Sequence, residues 1–157
     1  ADLPTSPIDE GSRVVLTIYI EDTEKKLGVF KDLADRLELF HRIMDTRFLF
    51  KTMTTDKAHG YRFTTAKGKP LPASGLSSGE QHELILFYQL LFQTAAGSLV
   101  LLDEPEISLH VSWQVEFLQD LLDVTKLAGF SVLLATHSPQ IVNERWDLTV
   151  SLQAPQQ

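Results

Sequence analysis

Two short, unbroken apolar runs in the second half of the chain most constrain its fold. They cover residues 99–102 and 132–135, and each leads directly into polar residues. Runs of this kind are typical of strands that are buried on both faces of a parallel sheet. Between them, residues 111–127 carry apolar side chains at helical spacing and end before Gly129, which predicts a crossover helix with a glycine cap. The pattern therefore predicts an α/β fold with a largely parallel sheet and packed helices.

The first 75 residues have a looser pattern. Proline, β-branched and periodic apolar residues predict, in order, a loop (1–11), a strand (14–20), a polar turn (21–28), an amphipathic helix (29–46), two short strands (48–53 and 61–65) and a turn (66–69). The 157 residues suffice for one compact domain, so we expect a strand, helix and hairpin part over residues 1–75 that leads into a 76–157 part.

Polar side chains follow both apolar runs. Asp103 and Glu104 come directly after the first run, and Thr136, His137 and Ser138 follow the second. Ligands of parallel sheets bind at the carboxyl ends of strands, so we expect these residues to share a site. Asp103 is suited to hold Mg²⁺ through water, Glu104 to orient or deprotonate an attacking water, and His137 to hydrogen-bond a phosphate or that water. A solvated acidic turn and a structural histidine are the alternative interpretations.

A third motif, Leu-Ser-Ser-Gly-Glu-Gln at residues 76–81, precedes a predicted helix. Ser77 and Glu80 have the spacing of a capping box, and this structural role alone would account for both residue types. A helix N-terminus is also an anion site, and Gly79 would let the backbone approach a phosphate closely. Further on, Ser138 and Pro139 predict the N-cap and first position of another helix.

Composition excludes several classes of protein. The net charge of −7 argues against nucleic-acid binding by this chain, so any DNA or RNA contact is expected through other regions. The absence of cysteine excludes disulfides and Cys-containing zinc sites and fits a reducing compartment, for which the cytoplasm is the default. No apolar run suits a membrane helix and no signal pattern opens the sequence, so we expect no membrane partner. Four further histidines lack the spacing of metal ligands and are assigned structural roles: His41, His59, His82 and His110.

In this order, the three motifs resemble the C-terminal lobe of ABC-type P-loop NTPases. The resemblance is closest to the stand-alone AAA-family ATP-binding proteins related to the SMC, RecF and OLD groups. Residues 76–81 resemble their signature loop, 99–104 the Walker B motif, 105–110 the D-loop, and His137 the switch histidine. The resemblance is close from residue 76 to about 142 and loose before it.

Two departures from the transporter pattern favour the SMC-like and OLD-like branch. Ser78 stands in place of the first signature glycine, and His110 stands in place of the usual D-loop aspartate. The resemblance implies ATP and Mg²⁺ as the ligands and a head-to-tail homodimer formed through ATP. The roles that it implies are nucleotide binding for Ser77, Ser78, Gly79, Glu80 and Ser108, metal binding for Asp103, and catalysis for Glu104 and His137.

The sequence contains no P-loop, which requires Gly, four residues, Gly-Lys and then Ser or Thr. Its one Gly-Lys pair, Gly68-Lys69, has Phe63 in place of the first glycine and Pro70 in place of the hydroxyl residue. We therefore expect a P-loop-bearing N-terminal lobe, in the same or a separate chain, and no turnover by this chain alone. No Asp-x-Asp pair of the Toprim nuclease type occurs either, so an effector or nuclease subunit is expected as a separate partner.

Three functions compete at this point. The leading one is ATP hydrolysis by an engine or regulator in DNA maintenance or anti-phage defence, as the resemblance implies. The second is a non-catalytic, ATP-gated interaction module in which the nucleotide clamps two copies together. The third is a plain α/β scaffold, in which all three motifs are only caps and turns. Glu104 and His137 favour catalysis, because a pure clamp needs neither.

Overall fold

The computed structural model describes residues 9–151. In chain order its main elements are α1 (Glu10–Arg47), β1 (Lys51–Asp56), β2 (Gly60–Thr65), β3 (Pro70–Leu71), α2 (Ser78–Tyr88), β4 (Leu99–Asp103), α3 (Val111–Ala128), β5 (Ser131–Ala135) and α4 (Pro139–Val142). A π-helical turn continues α2, and three 3₁₀ turns connect other elements: Ala73–Gly75, Pro105–Ser108 and Trp146–Leu148. We call Pro105–Ser108 the D-loop turn.

A single helix of 38 residues, α1, occupies the region where the sequence predicted a strand and a polar turn, 14–20 and 21–28. Both predictions were wrong. A strand there would need a neighbouring strand for its backbone hydrogen bonds, whereas a helix satisfies them within the segment. The Asp9 carboxylate caps the helix by accepting from the Ser12 amide at 2.8 Å, and the polar residues that follow are good helix formers.

The predicted helix over residues 29–46 lies inside α1 and is confirmed. Of the predicted loop over 1–11, residues 1–8 lie outside the described residues, and α1 already begins at Glu10. Near its C-terminus α1 supplies fully buried core side chains such as Phe40 and Met44. Towards its N-terminus, apolar side chains such as Tyr19 are exposed.

The strands form two separate small sheets. In the first, β1, β2 and β3 pair antiparallel; in the second, β4 and β5 pair in parallel, with Asp103 opposite Ala135. Within residues 9–151, the predicted parallel sheet is therefore confirmed only for β4 and β5. The earlier strands lie outside the region for which the parallel sheet was predicted, and β1 and β2 pair antiparallel because a short hairpin turn joins them.

The β4–β5 sheet has one covered and one open face. Its half-buried Val100, Leu102, Val132 and Leu134 pack against the core. Leu99, Leu101 and Leu133 point the other way and are 62%, 69% and 63% exposed. The prediction that both strands are buried on both faces was wrong for this chain alone, because the described helices cover one face only. We call Leu99, Leu101 and Leu133 the open face.

The core lies where the C-terminal part of α1 meets α2 and α3, with the β1–β2 hairpin at one end. Large aromatic side chains fill it, and Phe87 of α2 packs on Phe117 of α3 with ring centroids 5.9 Å apart. The predicted glycine cap is confirmed, since Gly129 ends α3 in the left-handed conformation with φ of 75°. This arrangement holds the N-terminus of α2 close to the segment after β4.

A fully buried arginine, Arg47, joins the three core helices. Its guanidinium donates to Glu83 of α2 at 3.1 Å and to Glu116 of α3 at 2.8 Å, and it also pairs with Asp120 of α3. Burial raises the pKa of Glu83 to about 7, although Arg47 opposes this shift. Burial also raises the pKa of Asp120. The cluster therefore depends on Arg47 to compensate two buried carboxyl groups.

None of the helices between residues 9 and 151 has the length and apolar character needed to cross a bilayer.

Candidate functional site

Glu104 and His137 meet where the two parallel strands end. The amide of Glu104 donates to the carbonyl of Ala135 at 2.9 Å, which continues the pairing of β4 and β5 past Asp103. This pairing brings Nε2 of His137 to 3.5 Å from Oε1 of Glu104. The two side chains are 91% and 41% exposed, so both face solvent at the carboxyl edge of the sheet. The structure thus brings together two residues that the sequence predicted to share a site.

The backbone at Glu104 is in the left-handed region, with φ of 44°. This conformation costs a non-glycine residue roughly 1–2 kcal/mol. It turns the chain sharply at the end of β4, so that Pro105 can start the D-loop turn. Strained backbone of this kind is concentrated at functional sites, where the surrounding structure enforces it.

Asp103 lies on the same side of β4 as the open face, because side chains two residues apart in a strand point the same way. Its carboxylate is exposed and accepts no hydrogen bond from another described residue. Within residues 9–151, no three His, Cys, Asp or Glu side chains are grouped to hold a metal by themselves. Mg²⁺ usually takes one or two carboxylates together with phosphate oxygens, so Asp103 fits a metal site that a nucleotide completes.

The predicted capping box at the start of α2 is confirmed. Ser77 Oγ accepts from the Glu80 amide at 3.3 Å, and the Glu80 carboxylate accepts from the Ser77 amide at 2.7 Å. That carboxylate also accepts from Lys51 Nζ. Burial alone would raise the pKa of Glu80, but the hydrogen bonds from Lys51 and Ser77 outweigh it and lower the pKa. The Glu80 carboxylate therefore already forms hydrogen bonds within the chain, and its part in nucleotide binding stays a prediction.

Ser77 and Ser78 are exposed at the N-terminus of α2, where the free amides of the helix make an anion site. Ser138 occupies the N-cap position of α4, but its hydroxyl donates to Gln114 instead of capping the helix. Pro139 takes the first helical position, as predicted. The nucleotide contacts of Ser77 and Ser78 stay predictions.

Gly79 packs against the D-loop turn. A Cβ atom at this position would lie 2.7 Å from the carbonyl oxygen of Ser108 and 3.3 Å from the Trp113 ring. The close approach of two backbone segments therefore requires glycine here, a reason that the sequence did not reveal. It also places Ser108, which is exposed, beside the first turn of α2.

We expect Gly79→Ala to lower the free energy of unfolding by about 1–3 kcal/mol, the usual cost of forcing extra volume into a packed contact. Alanine favours helices, so intrinsic propensity acts in the opposite direction. Gly28→Ala is the matched control, because Gly28 lies inside α1 with no atom within 4 Å of the added Cβ. It should stabilise the chain by roughly 0.5–1 kcal/mol. Urea unfolding measures both, and equal stabilisation by the two substitutions would refute the contact.

His110 caps α3. Its Nδ1 accepts from the Ser112 amide at 3.3 Å, which is the task an N-cap aspartate performs. The departure from the usual D-loop aspartate thus preserves the cap, and the structural role predicted for His110 is confirmed.

Sequence reasoning overlooked Glu106 of the D-loop turn. Its Oε1 accepts from the hydroxyl of Thr136 and, at 3.0 Å, from the amide of His137. No spacing rule selects this glutamate, since its partners are 30 and 31 residues away. The available signal was its position, two residues beyond Glu104 and at the same sheet edge as His137.

Comparisons with known proteins show the family of this chain. A family model described as "AAA domain, putative AbiEii toxin, Type IV TA system" matches residues 6–143. UvrABC system protein A of Chlamydia pneumoniae is 32% identical over 114 residues, which are 71% of this chain and 6% of that protein. Protein ea59 of Escherichia phage lambda is 36% identical over 69 residues, which are 44% of this chain and 13% of that protein. The chain thus spans a small part of either relative. Because the family model covers far more than half of the chain, the chain belongs to this family of AAA-type ATPase domains.

Proposed function

We propose that this chain is the C-terminal lobe of an ABC-type ATPase that hydrolyses Mg·ATP once a P-loop lobe and a second copy complete the site. The observation that carries the proposal is the 3.5 Å approach of Glu104 Oε1 and His137 Nε2 at the carboxyl edge of β4 and β5. Asp103 is the next residue along the same edge. A general base, a hydrogen-bonding imidazole and a carboxylate for a metal are the groups that phosphoryl transfer to water needs.

Each of these residues has a distinct task in the proposed reaction. Glu104 Oε1 accepts a proton from the attacking water, and His137 Nε2 hydrogen-bonds that water or the phosphate. Asp103 would hold Mg²⁺, which neutralises charge on the phosphates when bound. His137 is almost fully exposed, so it can reach a nucleotide that lies outside this chain.

The open face supports a P-loop lobe as partner, in the same or a separate chain. Its three leucines are more than 60% exposed, and burying a leucine contributes about 1.5–3 kcal/mol. Asp103 extends this face at its carboxyl end. A lobe that covered the leucines would therefore also lie beside Asp103, and this chain has no P-loop of its own.

The N-terminus of α2 supports a head-to-tail homodimer. Ser77 and Ser78 are exposed there, and Ser108 lies beside Gly79 of the same turn. We propose that Ser77 and Gly79 contact the γ-phosphate of ATP held by the opposite copy, that Ser78 takes part in nucleotide binding, and that Ser108 lies across the dimer seam. We further propose that the assembly acts as an engine or regulator in DNA maintenance or anti-phage defence, with nucleic acid bound through other regions and an effector or nuclease as partner.

The proposal is tested by comparing this chain with the complete protein. The complete protein should hydrolyse ATP at about 1 per second or faster and dimerise with ATP, while this chain alone should not turn over. Phosphate release and light scattering measure the two properties. In the complete protein, Ser77→Arg should abolish dimerisation and spare ATP binding, because the new side chain fills the space for the opposite phosphate. Ser12→Arg, the same change on an exposed serine of α1, should leave both dimerisation and ATP binding unchanged.

Turnover by this chain alone would contradict the composite site. A complete protein that neither hydrolyses ATP nor dimerises with it would contradict the proposed function as a whole.

A further inference from the structure

We propose that Glu106 is a positioning residue that connects the D-loop turn to His137, the switch histidine. The conformation of the D-loop turn then determines the position of His137 relative to Glu104. The inference rests on the proposed function, because it assigns the same site a route by which a neighbouring copy can control hydrolysis.

One oxygen of Glu106 fixes two consecutive residues after β5. Oε1 accepts from Thr136 Oγ1 and from the His137 amide at 3.0 Å. The Thr136 hydroxyl oxygen accepts in turn from the Ser138 amide at 3.0 Å. The His137 side chain is 91% exposed, so its backbone is the part of the residue that this carboxylate holds. The position of His137 therefore depends on Glu106.

The other side of the D-loop turn is packed against α2. The carbonyl oxygen of Ser108 lies 2.7 Å from the position that a Cβ on Gly79 would take, so the turn packs closely against the helix. A connected path of contacts thus runs from the start of α2 through Ser108 and Glu106 to His137, and from there to Glu104 at 3.5 Å. In the proposed dimer this turn lies at the seam, so the second copy can act on His137 through Glu106.

The negative charge of Glu106 strengthens its hydrogen bonds to Thr136 and His137. Burial alone would raise the pKa of Glu106, but hydrogen bonds from Thr136 and from nearby backbone amides outweigh it and lower the pKa. The carboxylate is therefore ionised near neutral pH, and hydrogen bonds to an ionised acceptor are about twice as strong as neutral ones. Its Oε2 is buried and has no hydrogen-bond partner among the described residues. Within residues 9–151, one oxygen of this carboxylate is therefore buried without a hydrogen bond, which costs free energy. A residue that only stabilised the turn would not need to bear this cost.

Two substitutions at Glu106 in the complete protein test the inference. Glu106→Ala removes both hydrogen bonds, so kcat should fall about 10- to 100-fold, the cost of misplacing a catalytic group by roughly 1 Å. The KM for ATP should change little, since Glu106 is not among the residues proposed to bind the nucleotide. Glu106→Gln keeps one acceptor without the charge, so its kcat should lie between those of Glu106→Ala and wild type. Urea unfolding corrects each rate for the folded fraction.

Hydrogen exchange of the His137 amide gives a readout that does not depend on turnover. In Glu106→Ala this amide should exchange about 10- to 100-fold faster, the worth of a hydrogen bond to a charged acceptor. A double-mutant cycle with Thr136→Val should be non-additive in kcat, because both residues belong to one link. Glu144→Gln is the matched control, since Glu144 is exposed and its side chain bonds to no described residue. It should change neither quantity.

The possible results separate this inference from the proposed function. Wild-type kcat and wild-type exchange of the His137 amide in Glu106→Ala would overturn the inference. Faster exchange with unchanged kcat per folded molecule would also overturn it, because Glu106 would then be a structural staple only. If wild type itself does not hydrolyse ATP, the proposed function fails and this inference falls with it, whereas hydrolysis by wild type together with an unchanged kcat in Glu106→Ala overturns the inference alone.

Discussion

Glu104→Gln in the complete protein should lower ATP hydrolysis by about 10²–10⁴-fold, the usual worth of a general base. Glutamine keeps the shape of the side chain and can hydrogen-bond the attacking water, but it cannot take a proton from it. Binding of ATP should survive, because Asp103 still holds the metal. The variant should therefore accumulate as an ATP-bound dimer, which light scattering detects alongside a phosphate-release assay.

Two comparisons make this result specific to Glu104. Glu144→Gln is the same substitution at an exposed glutamate and should hydrolyse ATP at the wild-type rate. Asp103→Asn should instead weaken the binding of Mg·ATP itself. Hydrolysis by Glu104→Gln at the wild-type rate would exclude Glu104 as the base. If wild type dimerises with ATP but hydrolyses almost none, the alternative function, an ATP-gated clamp, is correct.

Arg47→Ala should be the most destabilising single substitution in the core, with a loss of about 3–5 kcal/mol in the free energy of unfolding. The change leaves Glu83 buried without a cation and leaves Asp120 with only Arg42, whose Nη1 lies 4.0 Å away. Urea unfolding of this chain measures the loss directly. Arg145→Ala is the matched control, because its pair with Asp147 at 2.9 Å is more than one-third exposed on both sides and should contribute less than about 1 kcal/mol.

The loss of unfolding free energy in Arg47→Ala should increase with pH. Glu83 has a folded pKa of about 7, above its ordinary value of 4.5, so its burial costs nothing below about pH 4.5 and costs progressively more as pH rises through 7. Without Arg47 the folded pKa of Glu83 rises further. The loss in Arg47→Ala should therefore be larger at pH 8 than at pH 5.5. A triple change, Arg47→Met with Glu83→Leu and Asp120→Leu, removes all three buried charges and should restore most of the stability.

Local patterns predicted the candidate site well. The capping box of Ser77 and Glu80 and the glycine cap at Gly129 follow from contacts within four residues, which a sequence displays directly. The order of apolar run, helix and apolar run also sufficed to predict that Glu104 and His137 share an edge, because parallel strands end on the same side of a sheet.

The same local rules failed for segments whose structure depends on the elements that pack beside them. The β-branched run at 14–20 favours a strand, but no described strand lies beside it, so the chain adopts a helix instead. The apolar runs of β4 and β5 indicate burial on both faces, but sequence does not tell which face this chain covers itself. Both errors arise because burial depends on what packs against a segment.

The sequence by itself determined the candidate chemistry, since the types and order of Asp103, Glu104 and His137 are read directly from it. Only the tertiary structure decided how these residues are held. Gly79 meets Ser108 across 29 positions in the chain, and Glu106 meets His137 across 31. Such contacts depend on how helices and strands pack, so the pattern of neighbouring residues in the sequence does not predict them.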